Sequence, residues 1–494
     1  MTHFFRRFSG IYFYSLPLII FFCWTVSCKK STSEDGLLRF SILNDGDSTK
    51  YVIDTKLTVS FDTVLTSVGS VTRRFAVHNT SNQEITIKSI FLTGGYSYYS
   101  INVNGVSGKP NTPFKDVTIS KKDSIFVFVK VNIDPHNQNN PFLITDAIKF
   151  VTGTGEQEVK LIAYGQDARY IIADRIIKNE DGNEVFRYKV VAGEHETVTW
   201  TKERPYVVYG WAAIDSTGTL IIEPGTKVYF HNKSGLWAYR YSNLKVNGTI
   251  NEPVLFRGDR LESWFDKDYA QWNGVWINEG VEASIHNATI TNASIGIQVT
   301  PLLDDVVTIT PNIVKIENTI IKNTKEGGVW GSLLNIEMTN CVIANNGEYS
   351  LLLEGGQYTM KHVTIANYLE RKAAACYVSN VASGYDNALM DIKADFINCI
   401  IYGKNETEVG IVKAKEAELE VIFQNCLIKA KENSSYFIDC LRNEDPMFKN
   451  IEKHDFMLLP NSPAIGKGKP NIGVPLDILG NPRGDKPDIG AYQN

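Results

Sequence analysis

No two histidines in this chain stand at the spacing of a metal site. The eight histidines are scattered, with nothing like HxxxH, so neither a metal nor another cofactor is expected. No Ser-His-Asp order and no Gly-rich phosphate signature appear. Charge of one sign is also lacking. Lys and Arg number 50 against 55 Asp and Glu, a formal net charge of −5, which gives no bulk reason to expect nucleic-acid binding. Helix-period stretches are missing between residues 37 and 167. Cysteine is sparse and falls in an odd set. Beyond Cys23 and Cys28 there remain Cys341, Cys376, Cys399, Cys426 and Cys440, and five in an exported chain argue against a pure disulfide framework. Their redox state stays open.

What is present is enough for several domains. The chain has 494 residues, 43% hydrophobic and 11% aromatic, so it can bury a large core. Arg6 and Arg7 precede an almost wholly apolar run, Ile11 to Trp24, which is too short and too early for a spanning helix. Thr25-Val26-Ser27-Cys28 follows and resembles a bacterial lipobox, with Thr25 where Leu is usual. The reading is a lipoprotein signal peptide over 1–27, lipidation at Cys28 and a polar tether over 28–36, "KKSTSEDG". An ordinary signal peptide is the alternative.

Residues 37–167 read as short alternating strands punctuated by Gly, Asn and Pro, as in "EITIKSIFLTGG" and "DSIFVFVKVNIDP". That pattern predicts a β-sandwich. Phe75 to Asn79 and Val129 to Pro135 resemble strands of immunoglobulin-like modules in bacterial envelope proteins. The Ig disulfide is absent, because the segment has no cysteine. Residues 168–217 are expected to be a connector with further strands.

From residue 218 a phrase recurs: Asn318-Thr-Ile-Ile, Asn340-Cys-Val-Ile, His362-Val-Thr-Ile, Asn398-Cys-Ile-Ile and Asn425-Cys-Leu-Ile. Aligned on Ile290, Ile321, Ile343, Ile365, Ile401 and Ile428, the intervals are 31, 22, 22, 36 and 27 residues. A floor near 22 with loop insertions marks a solenoid, one coil per repeat. The side-chain period is not 3.6, so the coils are β. The expected fold is all-β, a sandwich followed by a right-handed parallel β-helix over 218–440. Cys341 and Ile343 should point inward, and the Asn should turn the corner in the αL conformation.

"LIIEPGTKVYF", "LKVNGTINEPVLF" and "QWNGVWI" resemble the opening coils of pectin-lyase-like β-helix lipoproteins of Gram-negative bacteria. "DPMFKN", "DFMLLPNSPAIGKG" and "DILGNPRGDKPDIGAYQ" are similar to their choice-of-anchor type end module. The resemblance covers roughly residues 218–494. It implies export to the envelope and the β-helix fold, and no single activity. Residues 441–494 are expected to cap the open end of the solenoid, where an exposed strand edge would template aggregation.

Polysaccharide lyases on this fold use a calcium-binding Asp cluster and a Lys or Arg base, and hydrolases on it use paired carboxylates. The lyase-like RxPxxR and hydrolase-like NTD and GHG patterns are absent. Asp304-Asp305 could be half of a catalytic pair, though a solvated loop explains it better. Asp391, Lys393 and Asp395 share a strand face, which suits a cation or a uronate, though a salt-bridged outer face explains them better. Calcium enters only under the lyase alternative. Arg257 to Asp259 spell "RGD", too short a signal to carry adhesion. Aromatics are the stronger clue. Trp237 and Tyr239 alternate on one face, and Trp264 and Phe265 sit in a polar insertion with Asp259, Glu262, Asp266 and Asp268, a setting that suits neutral sugar rings. Trp276 reads as core. The main expectation is an envelope lipoprotein, held at a membrane by its lipid, that binds polysaccharide or an envelope partner. The alternatives are a polysaccharide lyase or glycoside hydrolase, and an adhesin.

Overall fold

The computed structural model describes residues 37–42, 56–66, 69–95, 98–134, 142–302, 312–385 and 387–494. Cys28 with its apolar leader, and Asp304 with Asp305, lie outside them. Among the described residues the only helical element is one 3-10 turn, Ser263–Lys267. Strands Arg39 to Gln166 form two five-stranded sheets around one core. In Ser124–Val131, Ile125, Val127, Val129 and Val131 all point into that core, as alternation requires. Pairing is antiparallel except that Leu57–Leu65 runs parallel to Glu156–Gln166.

Then the chain winds. Sheet I has eleven strands, from Arg169–Ile172 to Leu441–Arg442. Sheet II has ten, from Arg175–Lys178 to Val409–Val412. Sheet III has ten, from Thr197–Trp200 to Phe437–Ile438. Each coil visits I, II and III in turn, and successive coils pair in parallel. One hairpin, Arg175–Lys178 with Glu184–Ala192, is antiparallel. This is a parallel β-helix. Ile290, Ile321, Ile343, Ile365, Ile401 and Ile428 are Cα partners in unbroken succession, so the sequence alignment on these residues gives the true register. All six are buried in one core running the length of the helix.

The stretch 168–217 is not a connector. Arg169–Ile172 pairs with Tyr206–Tyr209 and Thr197–Trp200 with Thr219–Ile222, so the first coils lie there. They escape the Asn phrase because their III-to-I corners are longer loops that each contain a proline, Thr201 to Pro205, Glu223 to Thr226 and Gly248 to Pro253. From Asn287 onward one residue turns that corner. Asn287, Asn318, Asn340, His362, Asn398 and Asn425 all have φ between 50° and 57°. Asn tolerates this left-handed region better than other side chains. Each donates its backbone N–H to the next coil, as from Asn318 to Thr339 O at 3.0 Å and from Asn340 to Lys361 O at 3.0 Å. Asp439 (φ 52°), followed by Cys440, is a further copy of the corner with Asp in place of Asn.

The C-terminal module does not sit over the end of the solenoid. It lies along the outside of sheet I. Phe448, Phe456, Leu458, Ile478 and Ile489 pack on the outward residues Val342, Ala344, Ala366, Ile400 and Leu427. The four residues of the phrase therefore do three jobs: Asn340 turns, Cys341 and Ile343 face the core, and Val342 faces the module. Strands covered on both faces read as continuous apolar runs, which is why "CVI" and "CII" do not alternate. The corner side chains hold the module as well. Asn340 Nδ2 donates to Leu476 O at 2.8 Å and Asn398 Nδ2 to Lys469 O at 2.9 Å. Asp477 and Asp488, both 1% exposed, are turn staples: Asp477 accepts backbone N–H groups from Leu479, Asn481 and Gln493, and Asp488 from Gly466 and Asn494.

Candidate functional site

With the later coils of sheet I covered by the module, its first strands packed against Leu65, and sheet III lined by exposed charges, sheet II presents a different surface. Its outward side chains form one column in strict register: Trp237, Trp276, Gln298, Trp330, Leu352, Tyr377. Five coil steps of about 4.8 Å make it about 24 Å long. Beside it Tyr188 pairs with Trp211, and Gly327 with Tyr349. Trp211 lies over Gly235, where a Cβ would come within 2.5 Å of the indole, so that glycine is what lets the ring lie down. Trp237 stacks on Trp276 at 5.5 Å and 12°, and Tyr349 meets Tyr377 at 5.6 Å.

The indoles are pinned in a repeated way. Each N–H donates to a residue at the II-to-III edge of the next coil: Trp237 to Asn278 Oδ1 (2.7 Å), Trp276 to Thr300 Oγ1 (2.9 Å) and Trp330 to Glu354 Oε2 (3.1 Å). Two buried carboxylates share that edge. Glu354 also accepts from Ser383 N (3.2 Å) and Ser383 Oγ (2.6 Å), which fastens the loop at Ser383 beside the column. Glu279 pairs with Arg240 and accepts from Leu302 N at 3.1 Å. Tyr385 from the same loop donates to Pro301 O at 2.8 Å.

Two cavities open on this face. One, of about 270 Å3, is lined by Tyr188, Val190, Trp237, Tyr239 and Asp215 among others. The second, of about 160 Å3, lies between Trp330, Tyr349 and Leu352, with Glu326, Glu348 and Ser383 at its walls. Apolar floors with a few polar groups on the wall are the usual form of a saccharide or small-ligand site.

The residues singled out from the sequence scatter over the molecule. Trp237 and Tyr239 line the first cavity, but Trp237 is only 5% exposed, boxed in by Phe186, Tyr188 and Trp276. Phe265 is not beside them. It belongs to the I-to-II loop, at the opposite edge of sheet II from Tyr239, and Arg260 lies over its ring at 5.1 Å. Trp264 is in the same 3-10 turn, and its side chain lies outside what the structure describes. Lys393 and Asp395 are on sheet III, in Ile392–Ile397, and Asp391 immediately precedes that strand. Asp391 accepts from Glu418 N at 2.8 Å, and Lys393 reaches Glu420 on the next coil at 4.0 Å. Trp276, expected in the core, faces outward half-buried, whereas Trp272 lies in the core, stacked on Phe230 at 4.1 Å. Trp330, Tyr349, Leu352 and Tyr377 were missed. Their signal is the tripeptide with an outward residue between two inward ones, "LWA", "VWI", "VWG", "LLL", which an alignment on the sheet I phrase passes over.

The five thiols are free. Burial pushes Cys341 up to about 12, the behaviour of a small hydrophobe and not of a nucleophile. Among the described residues no group of three or more His, Cys, Asp or Glu is placed to hold a metal ion, and no helix is long and apolar enough to cross a membrane.

No protein-family model and no curated protein matches the sequence. Some solved structures show local likeness. The catalytic unit of a thermostable GH87 alpha-1,3-glucanase from Streptomyces thermodiastaticus is 12% identical, over 75% of this chain and 90% of that one, with a TM-score of 0.27. A family 123 glycoside hydrolase from Clostridium perfringens is 9% identical over 26% of this chain and 27% of its own, with a TM-score of 0.18. BcpA, the major pilin subunit of Bacillus cereus, is 10% identical over 30% and 45%, with a TM-score of 0.15. The match spans less than half of the last two. Likenesses this loose carry no weight for function, and the fold rests on the strand registers above.

Proposed function

We propose that this protein is a cell-envelope lipoprotein of the pectin-lyase-like β-helix kind that binds polysaccharide along the outer face of sheet II. The observation that carries the reading is the in-register column Trp237, Trp276, Gln298, Trp330, Leu352, Tyr377, with a cavity towards each end. A chain of sugar rings laid along the helix axis meets an aromatic or apolar side chain at nearly every coil, and aromatic surfaces cover the C–H side of such rings. The anchor-type module on sheet I supports the reading, since it leaves sheet II for a ligand. The Ig-like sandwich acts as a spacer from a lipid on Cys28. The two buried acids on this face, Glu279 and Glu354, are already committed to fixed donors, which favours binding over hydrolysis.

The test uses the half-buried rings at the cavity rims. Tyr239→Ala with Tyr349→Ala should weaken binding to a polysaccharide chosen from a glycan array by about tenfold or more, about 1.4 kcal/mol, with little change in melting temperature. Unaltered affinity, or a collapse of stability without a bound glycan, would sink the reading. For the anchor, Cys28→Ala should leave the protein unacylated and move it from the membrane to the soluble fraction. A variant that stays with membranes and is released only by detergent would place the anchor elsewhere.

A further inference from the structure

We infer that the ligand of sheet II carries positive charge, and that the cavity between Trp330 and Tyr349 takes the ammonium group of an amino sugar. The inference rests on the polysaccharide reading above and narrows it from polysaccharides in general to cationic ones.

Glu326 and Glu348 are both exposed and both line this cavity. They occupy equivalent positions on successive coils, because each precedes one member of the pair Gly327 and Tyr349. Tyr349 N donates to Glu326 O at 3.0 Å, so the two backbones are one coil step apart. Like charges set directly across a strand pair repel. Elsewhere on the helix, facing acids and bases alternate: Lys315 reaches Glu337, His286 reaches Glu317, and Lys393 reaches Glu420. Here neither glutamate forms an ion pair among the described residues. Lys325, which adjoins Glu326, and Lys372, in the loop before the next strand of sheet II, are exposed and do not line the cavity.

The floor fits the same ligand. Trp330 and Tyr349 offer ring surface, and a cation held over an aromatic face is attracted by the ring quadrupole. Carboxylates on the wall and aromatics on the floor together select an ammonium over a hydroxyl, and they repel a uronate. At about 160 Å3 the space is well below the ~300–1,000 Å3 of a drug-sized pocket, so it suits one head group or one ring edge and not a folded oligosaccharide. The other cavity on this face has the same character. Its wall carries Asp215, its floor Trp237, Tyr188 and Tyr239, and no Lys or Arg lines it. A polymer with amines on successive units could reach both.

Isothermal titration of the acylated protein in detergent, with a glucosamine hexamer and its fully N-acetylated counterpart at pH 6, tests this. The free-amine hexamer should bind at least tenfold tighter, with affinity falling as salt rises. Glu326→Gln and Glu348→Gln should each remove most of that preference while leaving the acetylated hexamer unaffected. Glu337→Gln, an exposed acid on sheet III, should change nothing. Equal affinity for the two hexamers, both weakened by Tyr349→Ala, would overturn the cationic inference and leave the polysaccharide reading standing. A preference that survives both glutamine variants would also overturn it. If neither hexamer nor any array glycan binds, both fall together.

Discussion

Replacing Ile343 by aspartate should unfold the middle of the β-helix. Ile343 has no solvent exposure and stands between Ile321 and Ile365 in the central stack of sheet I. Its Cγ2 packs so close to Gly328 that a Cβ there would come within 2.4 Å of it. A carboxylate there has neither water nor a partner. The cost should exceed about 4 kcal/mol, among the largest single-site effects known. Ile343→Val removes one methyl group and should cost only about 0.5–1.5 kcal/mol. Lys245→Asp, exposed on the outer face of sheet III between Ile221 and Ser284, should stay within about 0.5 kcal/mol. Scanning calorimetry with soluble yield reads all three. An Ile343→Asp protein that melts like the parent would mean the register is inverted.

Acid should loosen the C-terminal module, and His362 should be the main reason. His362 is 1% exposed and holds the corner position that asparagine fills in the neighbouring coils. Asn398 fixes its tautomer. Asn398 Oδ1 accepts from Lys469 N at 2.7 Å, so its Nδ2 is the donor towards His362 Nε2 at 3.0 Å. Nε2 therefore accepts, and Nδ1–H donates to Gly490 O at 3.2 Å. A proton on Nε2 would face another donor. Burial, then the nearby Arg483 guanidinium, lowers the histidine from 6.5 to about 3. The folded state thus refuses a proton that the unfolded chain accepts. Stability is full above pH 6.5 and falls as the pH drops towards about 3. Between pH 7 and pH 4 the loss from this one residue should be roughly 2–3 kcal/mol. His362→Asn keeps the corner conformation and should remove that part of the slope in denaturant unfolding. An unchanged slope would show that the histidine is protonated in the fold.

Much of the helix was legible in the sequence because one physical demand repeats. Each coil must turn at the same place and bury the same side chain, so Asn340-Cys-Val-Ile and Asn398-Cys-Ile-Ile look alike. Coils that turn differently were not legible. Thr201 to Pro205 and Glu223 to Thr226 turn by loops, which hid the coils between 169 and 217. The position of the C-terminal module was hidden too, although Val342, Ile400 and Leu427 carried the sign: apolar side chains on both faces of a strand need two covers. The candidate site was the least legible part. Trp237, Trp276 and Trp330 are 39 and 54 residues apart in sequence and meet only through the register. Phe265 misled because an aromatic in a polar insertion looks like a binding loop, while its ring is occupied by Arg260.

Hydroxyl-radical footprinting, read by mass spectrometry with and without the tightest polysaccharide from an array, tests the binding face most directly. Trp276, Trp330, Tyr349 and Tyr377 should be protected together, while the exposed Tyr164 of the sandwich and Tyr269 of the I-to-II loop react as before. Protection in the sandwich or on sheet III, with the sheet II aromatics reacting unchanged, would contradict the account.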